Sequence, residues 1–472
     1  MSKAPVRLKN HIGGESLDPV EGERFLVPDP TTGETASEVP DSGLMDVVKA
    51  IQGAHKAWPA WQRTESPARA ELLEKIAALI ESDLERLALK QAREEGLILR
   101  EARESVGRAA KVLRYYSREL ALTTETVTGE SGSSFTRHLM PIGVATVITP
   151  ASDSFFLLAS RVGAALAAGN VVIAKPSEHA PQTADSFAEI TSRAGLPAGV
   201  FNLVQGRGAA GEALIQHPGT HTISFNGSTE VGRQIQVAAA ESLKRVHLSM
   251  GARNPVLVFG TVDIERAAKR VAELATSGPM CLRGSRLFVQ ESIYKPFLEA
   301  FKNQMESLKV GDPTDEATQV GPLPGAKYLE SFSKAVMQAT GENGKLLQGG
   351  AETKGFFAKP TTVMDLTLCS TLQQEEVPGP FVTAYSFKYQ HDAVKHANNC
   401  PFAQAAYVFE ADAEKAQKIA LKIEASRVYA NAWEGRPWEP SLTWQGMKQS
   451  GQGADGGLEI LRHFSRTPTV IV

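Results

Sequence analysis

The chain has 472 residues, of which 42% are hydrophobic and 22% charged, and its formal net charge is -3 at pH 7. That length is enough for two or three globular domains, and the small net charge argues against nucleic acid or an anionic membrane as a main partner. The three cysteines, Cys281, Cys369 and Cys400, are too few for a disulfide framework, and no Cys/His cluster has zinc spacing. We therefore expect reduced thiols and no metal.

The N-terminal segment, Met1 to Asn10, lacks the apolar core of a signal peptide. The longest apolar stretch, near Val162 to Ala174, is interrupted by Gly163, Gly169 and Asn170, so it does not predict a membrane span. We expect a cytoplasmic protein with no membrane partner.

Helical periodicity dominates the first part of the chain. Amphipathic patterns predict helices over Leu44 to Trp61 and Pro67 to Glu95, with Ser66 as the N-cap of the second. A third helix is expected to end near Leu122.

Beyond Gly143, short β-branched runs alternate with helical segments. The predicted strands are Val144 to Thr149, Val171 to Ala174, Val200 to Val204, His221 to Phe225 and Arg245 to Leu248. The predicted helices between them are Phe155 to Ala168, Pro181 to Ala194, Ala209 to His217 and Thr229 to Ala240. This alternation is typical of a doubly wound parallel sheet, which binds ligands at the carboxyl ends of its strands.

A second α/β set is predicted from about Pro255 to Ala430. The polar stretch Thr123 to Arg137 predicts an excursion away from the compact body, and Thr467 to Val472 ends the sequence as an unpaired strand. Exposed edges of this kind commonly pair with another subunit, so we expect a homo-oligomer.

Two loops of the first sheet have the chemistry of a nucleotide site. After the strand His221 to Phe225, Gly227 permits close backbone approach, and Ser228 with free N–H groups can face a pyrophosphate. A plain helix cap with Ser228 as N-cap is the alternative. Lys175 and Glu178 likewise place a cation and a carboxylate where a ribose could lie, or form a solvated surface pair.

Cys281 lies in the turn Ser277 to Arg286, which is rich in glycine, proline and arginine. A catalytic thiolate needs an electropositive, partly open setting, and Arg283 and Arg286 are expected to supply the charge. A free cysteine is more often a small buried hydrophobe, so the turn alone leaves both interpretations open.

Seven ordered segments together resemble the aldehyde dehydrogenase superfamily over nearly the whole chain. They are Pro141 to Val144, Ala164 to Asn170, Lys175 to Glu178, Phe225 to Arg233, Cys281 to Arg286, Glu375 to Pro380 and Lys448 to Gly451. The resemblance implies an α/β fold with a doubly wound dinucleotide-binding domain (residues 1–122 and 141–248) and an α/β catalytic domain (residues 249–449). A small β oligomerisation excursion (residues 123–140 and 462–472) implies a homodimer or homotetramer.

The resemblance also implies a mechanism. In that family a cysteine attacks an aldehyde carbonyl, hydride passes to a nicotinamide, and the thioester is hydrolysed or taken by coenzyme A. Matched by position, Cys281 is the nucleophile, Lys175 and Glu178 bind the adenosine ribose, Gly227 and Ser228 the pyrophosphate, and Glu376 the nicotinamide ribose. The carboxylate of Glu178 would repel a 2′-phosphate, which favours NAD over NADP.

Positions around the nucleophile depart from the family pattern. Ala151-Ser152 stands where the family has Trp-Asn, so the amide of the oxyanion hole is missing, although Ser152 could offer a shorter hydroxyl. Ser249 replaces the hydrolytic glutamate and cannot act as a general base near neutral pH. Pro279 and Pro378 replace a glutamine and a phenylalanine.

Three hypotheses stay open. In the first, an active dehydrogenase of a small-molecule aldehyde uses Ser152 and the backbone N–H of Cys281 as its oxyanion hole and Asp455 to activate water. In the second, coenzyme A takes the acyl group, because a thiol needs less help than water. In the third, the fold binds dinucleotide but has lost efficient catalysis. We favour the first, because retention of Cys281 has no obvious role in a binding module.

Overall fold

A computed structural model of the chain describes residues 4–120, 124–128, 134–350 and 353–471. Thr123 and residues 129–133 of the predicted excursion, together with Val472, lie outside this part. The described residues form two large sheets, of eight and seven strands, against which helices pack. The α-helices are Leu44–Trp61, Ser66–Ser82, Leu84–Glu95, Leu99–Glu119, Ser154–Ala167, Pro181–Arg193, Gly208–Gln216, Thr229–Ala240, Ile264–Thr276, Tyr294–Ser307, Ala326–Gly341, Thr371–Gln374, Gln390–Asn398, Ala413–Ala420 and Glu459–His463.

The first sheet contains the predicted alternating strands. In spatial order its strands are Gly451–Gln452, Arg245–Ser249, Thr222–Asn226, Val144–Thr149, Val171–Pro176, Phe201–Leu203, Asn10–Ile12 and Glu15–Leu17. The strands from Arg245–Ser249 to Phe201–Leu203 are parallel, and those outside them are antiparallel. The strand order reverses between Val144–Thr149 and Thr222–Asn226, which opens a crevice at their carboxyl ends.

The second sheet is assembled from the later part of the chain. In spatial order its strands are Lys345–Gln348, Thr361–Met364, Phe381–Phe387, Gly284–Gln290, Asn254–Val258, Ala406–Phe409 and Val428–Ala430. All neighbours are parallel except the edge strand Lys345–Gln348. The second α/β set predicted from about Pro255 to Ala430 is therefore confirmed.

Short sheets complete the fold. They are Val6–Arg7 with Thr35–Pro40 and Arg24–Pro28, Thr353–Lys354 with Phe357–Ala358, Thr443–Gln445 with Ala454–Gly456, Ser465–Arg466 with Met140–Pro141, and Thr469–Ile471 with Ser134–His138 and Thr124–Thr128. The last group corrects the prediction of an unpaired C-terminal strand, because Thr469–Ile471 pairs antiparallel to Ser134–His138 of the same chain. Within the described residues, no helix is long and apolar enough to cross a membrane.

Each large sheet has its own apolar core. Every residue of Val144–Thr149 and Val171–Pro176 is buried, as expected of parallel strands covered by helices on both faces. A separate core surrounds the strands Asn254–Val258 and Gly284–Gln290 of the second sheet. The two cores hold the ends of the strands of both sheets in fixed positions, and the loops at those ends carry the candidate active site.

The helix predictions succeed unevenly. The helices Leu44–Trp61 and Thr229–Ala240 have the predicted bounds. The single helix predicted over Pro67 to Glu95 is wrong, because the chain bends at Asp83 between two helices. Ser66 is the first helical residue of the earlier helix, so its prediction as the N-cap is also wrong. No glycine or proline marks the bend, and both sides carry helical periodicity, so the sequence pattern runs through it.

Candidate active site

One cavity of about 800 Å³ lies where the two sheets meet. Its first-sheet wall is formed by loops that follow the carboxyl ends of strands such as Val144–Thr149 and Val171–Pro176. Its second-sheet wall is formed by segments that precede the amino ends of strands such as Gly284–Gln290 and Val428–Ala430. All the predicted site residues line this cavity: Ser152, Lys175, Glu178, Gly227, Ser228, Ser249, Cys281, Glu376 and Asp455.

Ser228 starts a helix on the first-sheet wall. Its side-chain oxygen accepts a hydrogen bond from the N–H of Val231 at 3.4 Å, which confirms the N-cap interpretation. The N–H of Gly227 donates to the carbonyl of Ser249 at 3.2 Å, so it is not free for a ligand. A Cβ at Gly227 would lie 2.4 Å from the Phe225 ring, so this turn requires glycine. The start of the helix remains a favourable place for an anion, because its first N–H groups and its dipole carry positive charge.

Lys175 is a buried cation at the end of the strand Val171–Pro176. Its residue is only 5% exposed, which makes the solvated-pair interpretation wrong for this side chain. The ammonium lies 3.8 Å from the Glu178 carboxylate and makes no hydrogen bond to a residue that the structure describes. Burial lowers the pKa of Lys175, while Glu178 and Asp41 oppose that shift. A buried ammonium with free donors at this edge fits the hydroxyl groups of a ribose.

Cys281 lies in a single 3-10 turn, Met280–Leu282, which the rest of the protein holds firmly. Its carbonyl accepts from the amide of Asn254 at 2.9 Å, and the hydroxyl of Tyr407 donates to the carbonyl of Leu282. The N–H of Met280 donates to Oγ of Ser152 at 3.2 Å. The Ser152 hydroxyl thus lies against the turn, and its own proton is donated to no described residue. It is therefore available to a substrate oxygen.

The charge around Cys281 differs from expectation. Arg286 donates to the carbonyls of Arg253, His396 and Ala397, so its role as a charge donor to the thiol was predicted wrongly. Strand geometry explains the error, because Arg286 belongs to the strand Gly284–Gln290 and its side chain is buried among backbone carbonyls. Adjacency in sequence did not bring it to the sulfur.

Arg283 is also occupied. Its Nε donates to the carbonyl of Gly278 at 3.1 Å. Burial lowers the pKa of Arg283, and the carboxylate of Glu101 opposes the shift. The same carboxylate is buried, and one of its oxygens has no partner among the described residues. Arg283 and Glu101 therefore serve mainly to support the turn that carries the nucleophile.

The thiol itself is only partly open to the cavity. Burial raises the pKa of Cys281, Arg427 lowers it, and the carboxylates of Asp153 and Glu376 raise it further. The resting side chain is therefore a thiol at neutral pH. Sequence reasoning missed Arg427, which is far from Cys281 along the chain and becomes its neighbour only through the pairing of the second sheet.

Glu376 lies over Gly251 on the cavity floor. A Cβ at Gly251 would come within 2.6 Å of its carboxylate, so the glycine lets the carboxylate and this backbone approach closely. Its side chain is exposed to the cavity, yet the protein around it raises the pKa of Glu376 to about 7 by desolvation, while the N–H of Ala252 and the charge of Arg253 oppose the shift. Its carboxylate can therefore change charge near neutral pH.

Asp455 does not fit the predicted role of water-activating base. Both of its oxygens accept from the Arg161 guanidinium, at 2.6 and 2.5 Å, inside the protein. Burial alone would raise the pKa of Asp455, but Arg161 and His247 outweigh it and lower the pKa. A carboxylate that is paired and has a lowered pKa is a poor proton acceptor. Ser249 accepts a hydrogen bond from the Gln404 amide at 3.2 Å and offers no base either.

Known proteins share this architecture. Residues 18–470 match the model of the Aldehyde dehydrogenase family. The chain belongs to the aldehyde dehydrogenase family. It is 32% identical over 482 residues to the 2-aminomuconic semialdehyde dehydrogenase of Bos taurus, covering 99% of this chain and 98% of that one.

Two solved structures place the fold in the same family. The NAD-dependent aldehyde dehydrogenase from Sinorhizobium meliloti superposes with a TM-score of 0.94 at 30% identity, covering 99% of this chain and 94% of that chain. An NADP-dependent enzyme from E. coli superposes with a TM-score of 0.94 at 30% identity, covering 99% and 98%. The resemblance drawn from the ordered segments and the α/β fold are confirmed.

Family membership makes this aldehyde dehydrogenase an oxidoreductase with an aldehyde substrate and a nicotinamide dinucleotide cofactor. Among the described residues, no group of three or more His, Cys, Asp or Glu side chains is placed to hold a metal ion.

Proposed function

We propose that this protein is a cytoplasmic enzyme that oxidises a small-molecule aldehyde with NAD through a thiohemiacetal and a thioester on Cys281. The observation that carries this function is the single cavity in which Cys281 and the Ser152 hydroxyl lie together with the buried ammonium of Lys175. A nucleophile, an oxyanion donor and a ribose donor thus share one space.

The first-sheet wall is proposed to hold the dinucleotide. Lys175 and Glu178 would bind the adenosine ribose, the helix that starts after Ser228 would face the pyrophosphate, and Glu376 would accept from the nicotinamide ribose. When bound, the dinucleotide accepts the hydride that leaves the carbon attached to sulfur. Glu178 favours NAD, since its carboxylate would repel a 2′-phosphate.

Formation of the thiohemiacetal, which precedes hydride transfer, uses groups of this chain alone. The Cys281 thiol loses its proton to water, its sulfur bonds to the carbonyl carbon, and the carbonyl electron pair moves onto oxygen. The hydroxyl of Ser152 and the backbone N–H of Cys281 are proposed to hold that oxygen. Loss of one oxyanion donor typically costs about 100- to 1,000-fold in rate, so we expect slower acylation than in a relative with the amide.

A second candidate, acyl transfer to coenzyme A, is favoured by the arrangement of Ser249 and Asp455. Ser249 accepts a hydrogen bond from Gln404, and Asp455 forms an ion pair with Arg161, so neither can activate water. A thiol acceptor does not depend on such a base to the same degree. The semialdehyde in the name of the bovine relative adds an acidic aldehyde to the substrates worth testing.

The deciding experiment mixes purified protein with NAD or NADP and a panel of neutral and acidic aldehydes, with and without coenzyme A. We expect NADH formation, and a rate that rises with coenzyme A would favour the acyl-transfer function. Measurable NAD binding with no NADH under any condition would exclude both catalytic functions. The protein would then be a dinucleotide-binding relative without efficient catalysis.

We also propose the domain division and assembly. Residues 1–122 and 141–248 would bind dinucleotide, residues 249–449 would carry the chemistry, and residues 123–140 and 462–472 would join subunits in a homodimer or homotetramer. The three-stranded sheet of Thr469–Ile471, Ser134–His138 and Thr124–Thr128 supports this assembly. Sedimentation analysis tests it, and a monomer at micromolar concentration would contradict it.

A further inference from the structure

The cavity contains more cationic side chains than the proposed chemistry uses. Its arginines are Arg100, Arg108, Arg270, Arg283, Arg427 and Arg436. Most of them are bound to other groups of the protein. Arg108 forms two 2.8 Å bonds to Asp153, while Arg270 and Arg436 donate to backbone carbonyls. Arg283 donates to Gly278.

Arg427 differs from these arginines. Its side chain makes no hydrogen bond and no ion pair with any residue in the described part of the chain, and its Nε is buried without a partner. Arg100 also lacks a partner there, but it is exposed. The Arg427 guanidinium lies over the Trp444 ring, 4.5 Å from its centre, and this contact restricts the side chain without using its donors. Its charge and its terminal N–H groups therefore remain available to the cavity.

The nearby carboxylate does not neutralise Arg427. Trp444 pairs in register with Asp455, so the ring and the carboxylate sit on the same small hairpin. Both oxygens of Asp455 are held by Arg161. A cation without a hydrogen-bonded partner thus lines a cavity in which the neighbouring Asp455 carboxylate is already paired.

Charged groups on several elements face the Cys281 thiol: Arg427 at the start of Val428–Ala430, Asp153 before the helix Ser154–Ala167, Glu376 on the cavity floor, and Arg283 in the same turn. Asp153 is paired with Arg108, and Arg283 faces Glu101. Arg427 is therefore a cation near the thiol whose side chain has no hydrogen bond or ion pair within the described residues, and the Asp455 carboxylate that acts on it is already paired with Arg161.

We propose that Arg427 stabilises the Cys281 thiolate and the alkoxide formed from the aldehyde, in the place of the missing oxyanion amide. Arg427 stays protonated, and no bond to it forms or breaks. The thiol proton goes to water, the S–C bond forms, and the carbonyl pair moves to the oxygen that Arg427 attracts. The role of Arg427 toward the alkoxide rests on the proposed function, whereas its role toward the thiolate concerns the protein without substrate.

The test measures the rate of iodoacetamide alkylation at Cys281 against pH, by peptide mass spectrometry, without aldehyde or dinucleotide. The variants are Arg427→Met, Arg427→Gln and Arg427→Lys. We expect the midpoint of the alkylation rate of Cys281 against pH to rise by about one pH unit in the Met and Gln variants. Below that midpoint, alkylation should be about tenfold slower than in the wild type. The Lys variant should keep most of the wild-type profile, because it restores the charge.

The matched control is Arg266→Met. Arg266 lies over the Trp433 ring at 4.8 Å, so it makes the same kind of contact outside the cavity. Its variant should leave the Cys281 midpoint unchanged, and the exposed Cys369 serves as a reference thiol in every sample. An unchanged midpoint in both uncharged Arg427 variants would overturn the role of Arg427, and so would an equal shift in the control.

The proposed function and the role of Arg427 can be contradicted independently. If the wild-type protein forms no NADH, the proposed function fails, while the alkylation profile still decides whether Arg427 stabilises the thiolate. If NADH forms and the alkylation midpoint does not move, the function stands and the role of Arg427 fails. Circular dichroism identifies any variant that has not folded. The Lys variant keeps the positive charge at this position, so a wild-type alkylation profile in that variant shows that the shift in the others comes from the lost charge.

Discussion

The two walls of the cavity present opposite ends of their strands, and this difference separates two kinds of chemistry. On the first-sheet wall, strands end at the cavity: the buried Lys175 lies near the end of one strand, and a helix starts soon after another. On the second-sheet wall, strands begin at the cavity, and Cys281 and Arg427 lie just before them. The first wall offers fixed positive groups close to their strands, whereas the second depends on side chains brought together from distant positions.

Removal of the nucleophile should give the largest difference between catalysis, which depends on the second-sheet wall, and dinucleotide binding, which depends on the first. In Cys281→Ser we expect NADH formation to fall by about 10³-fold or more, because an alcohol is a far weaker nucleophile than a thiolate. Dinucleotide affinity should remain, since its groups lie on the other wall. Steady-state kinetics and fluorescence titration check the two outcomes, with Cys369→Ser as the control. Loss of dinucleotide binding in the Cys281 variant would mean that the walls are not independent.

Breaking the buried ion pair should affect stability. In Asp455→Asn we expect the free energy of unfolding to fall by about 3–5 kcal/mol, because Arg161 is left as a buried, unpaired charge. The pKa of Asp455 is lowered in the folded protein, so its stabilisation is full above the unfolded-state pKa and is lost as the pH falls through the folded-state pKa.

Urea unfolding at several pH values measures this effect. The control is Glu316→Gln, which removes a surface partner of Arg103 and should cost less than about 1 kcal/mol. If Asp455→Asn kept wild-type stability and slowed only thioester hydrolysis, Asp455 would be a base after all.

The dinucleotide preference should respond to Glu178. In Glu178→Ala we expect the ratio of kcat/KM for NADP to that for NAD to rise about tenfold, because the repelling carboxylate is gone. The surface variant Glu189→Ala should leave the ratio unchanged. A ratio that stays constant in Glu178→Ala would place the adenosine ribose elsewhere.

The smallest expected effect is the pH dependence at Glu376. Its pKa is raised to about 7, so the carboxylate becomes a charged acceptor only as the pH rises through that value. NAD affinity in the wild type should therefore increase between about pH 6 and pH 8. In Glu376→Gln the Kd should be a few-fold weaker and nearly independent of pH. Calorimetric titration checks both, and an identical slope in the two proteins would remove Glu376 from the ribose site.

The contrast between the walls also explains what the sequence could predict. Ser228 and the helix Thr229–Ala240 were predictable, because a cap and its helix are adjacent in the chain. The bend at Asp83 was not, since no residue there interrupts the helical pattern. Arg286 was assigned to the thiol by proximity in sequence, although its strand carries it elsewhere. Arg427 had no local signal, because only the order of strands in the second sheet brings it to Cys281.

The pairing of Arg161 with Asp455 has a consequence for biosynthesis. Asp455 lies on the small hairpin of Thr443–Gln445 and Ala454–Gly456, which also supplies the ring beneath Arg427. While the ribosome is still translating the segment before this hairpin, Arg161 has no counter-ion and the cavity lacks one side. We expect the cavity, and with it the surroundings of Cys281, to be completed only after this hairpin has been synthesised.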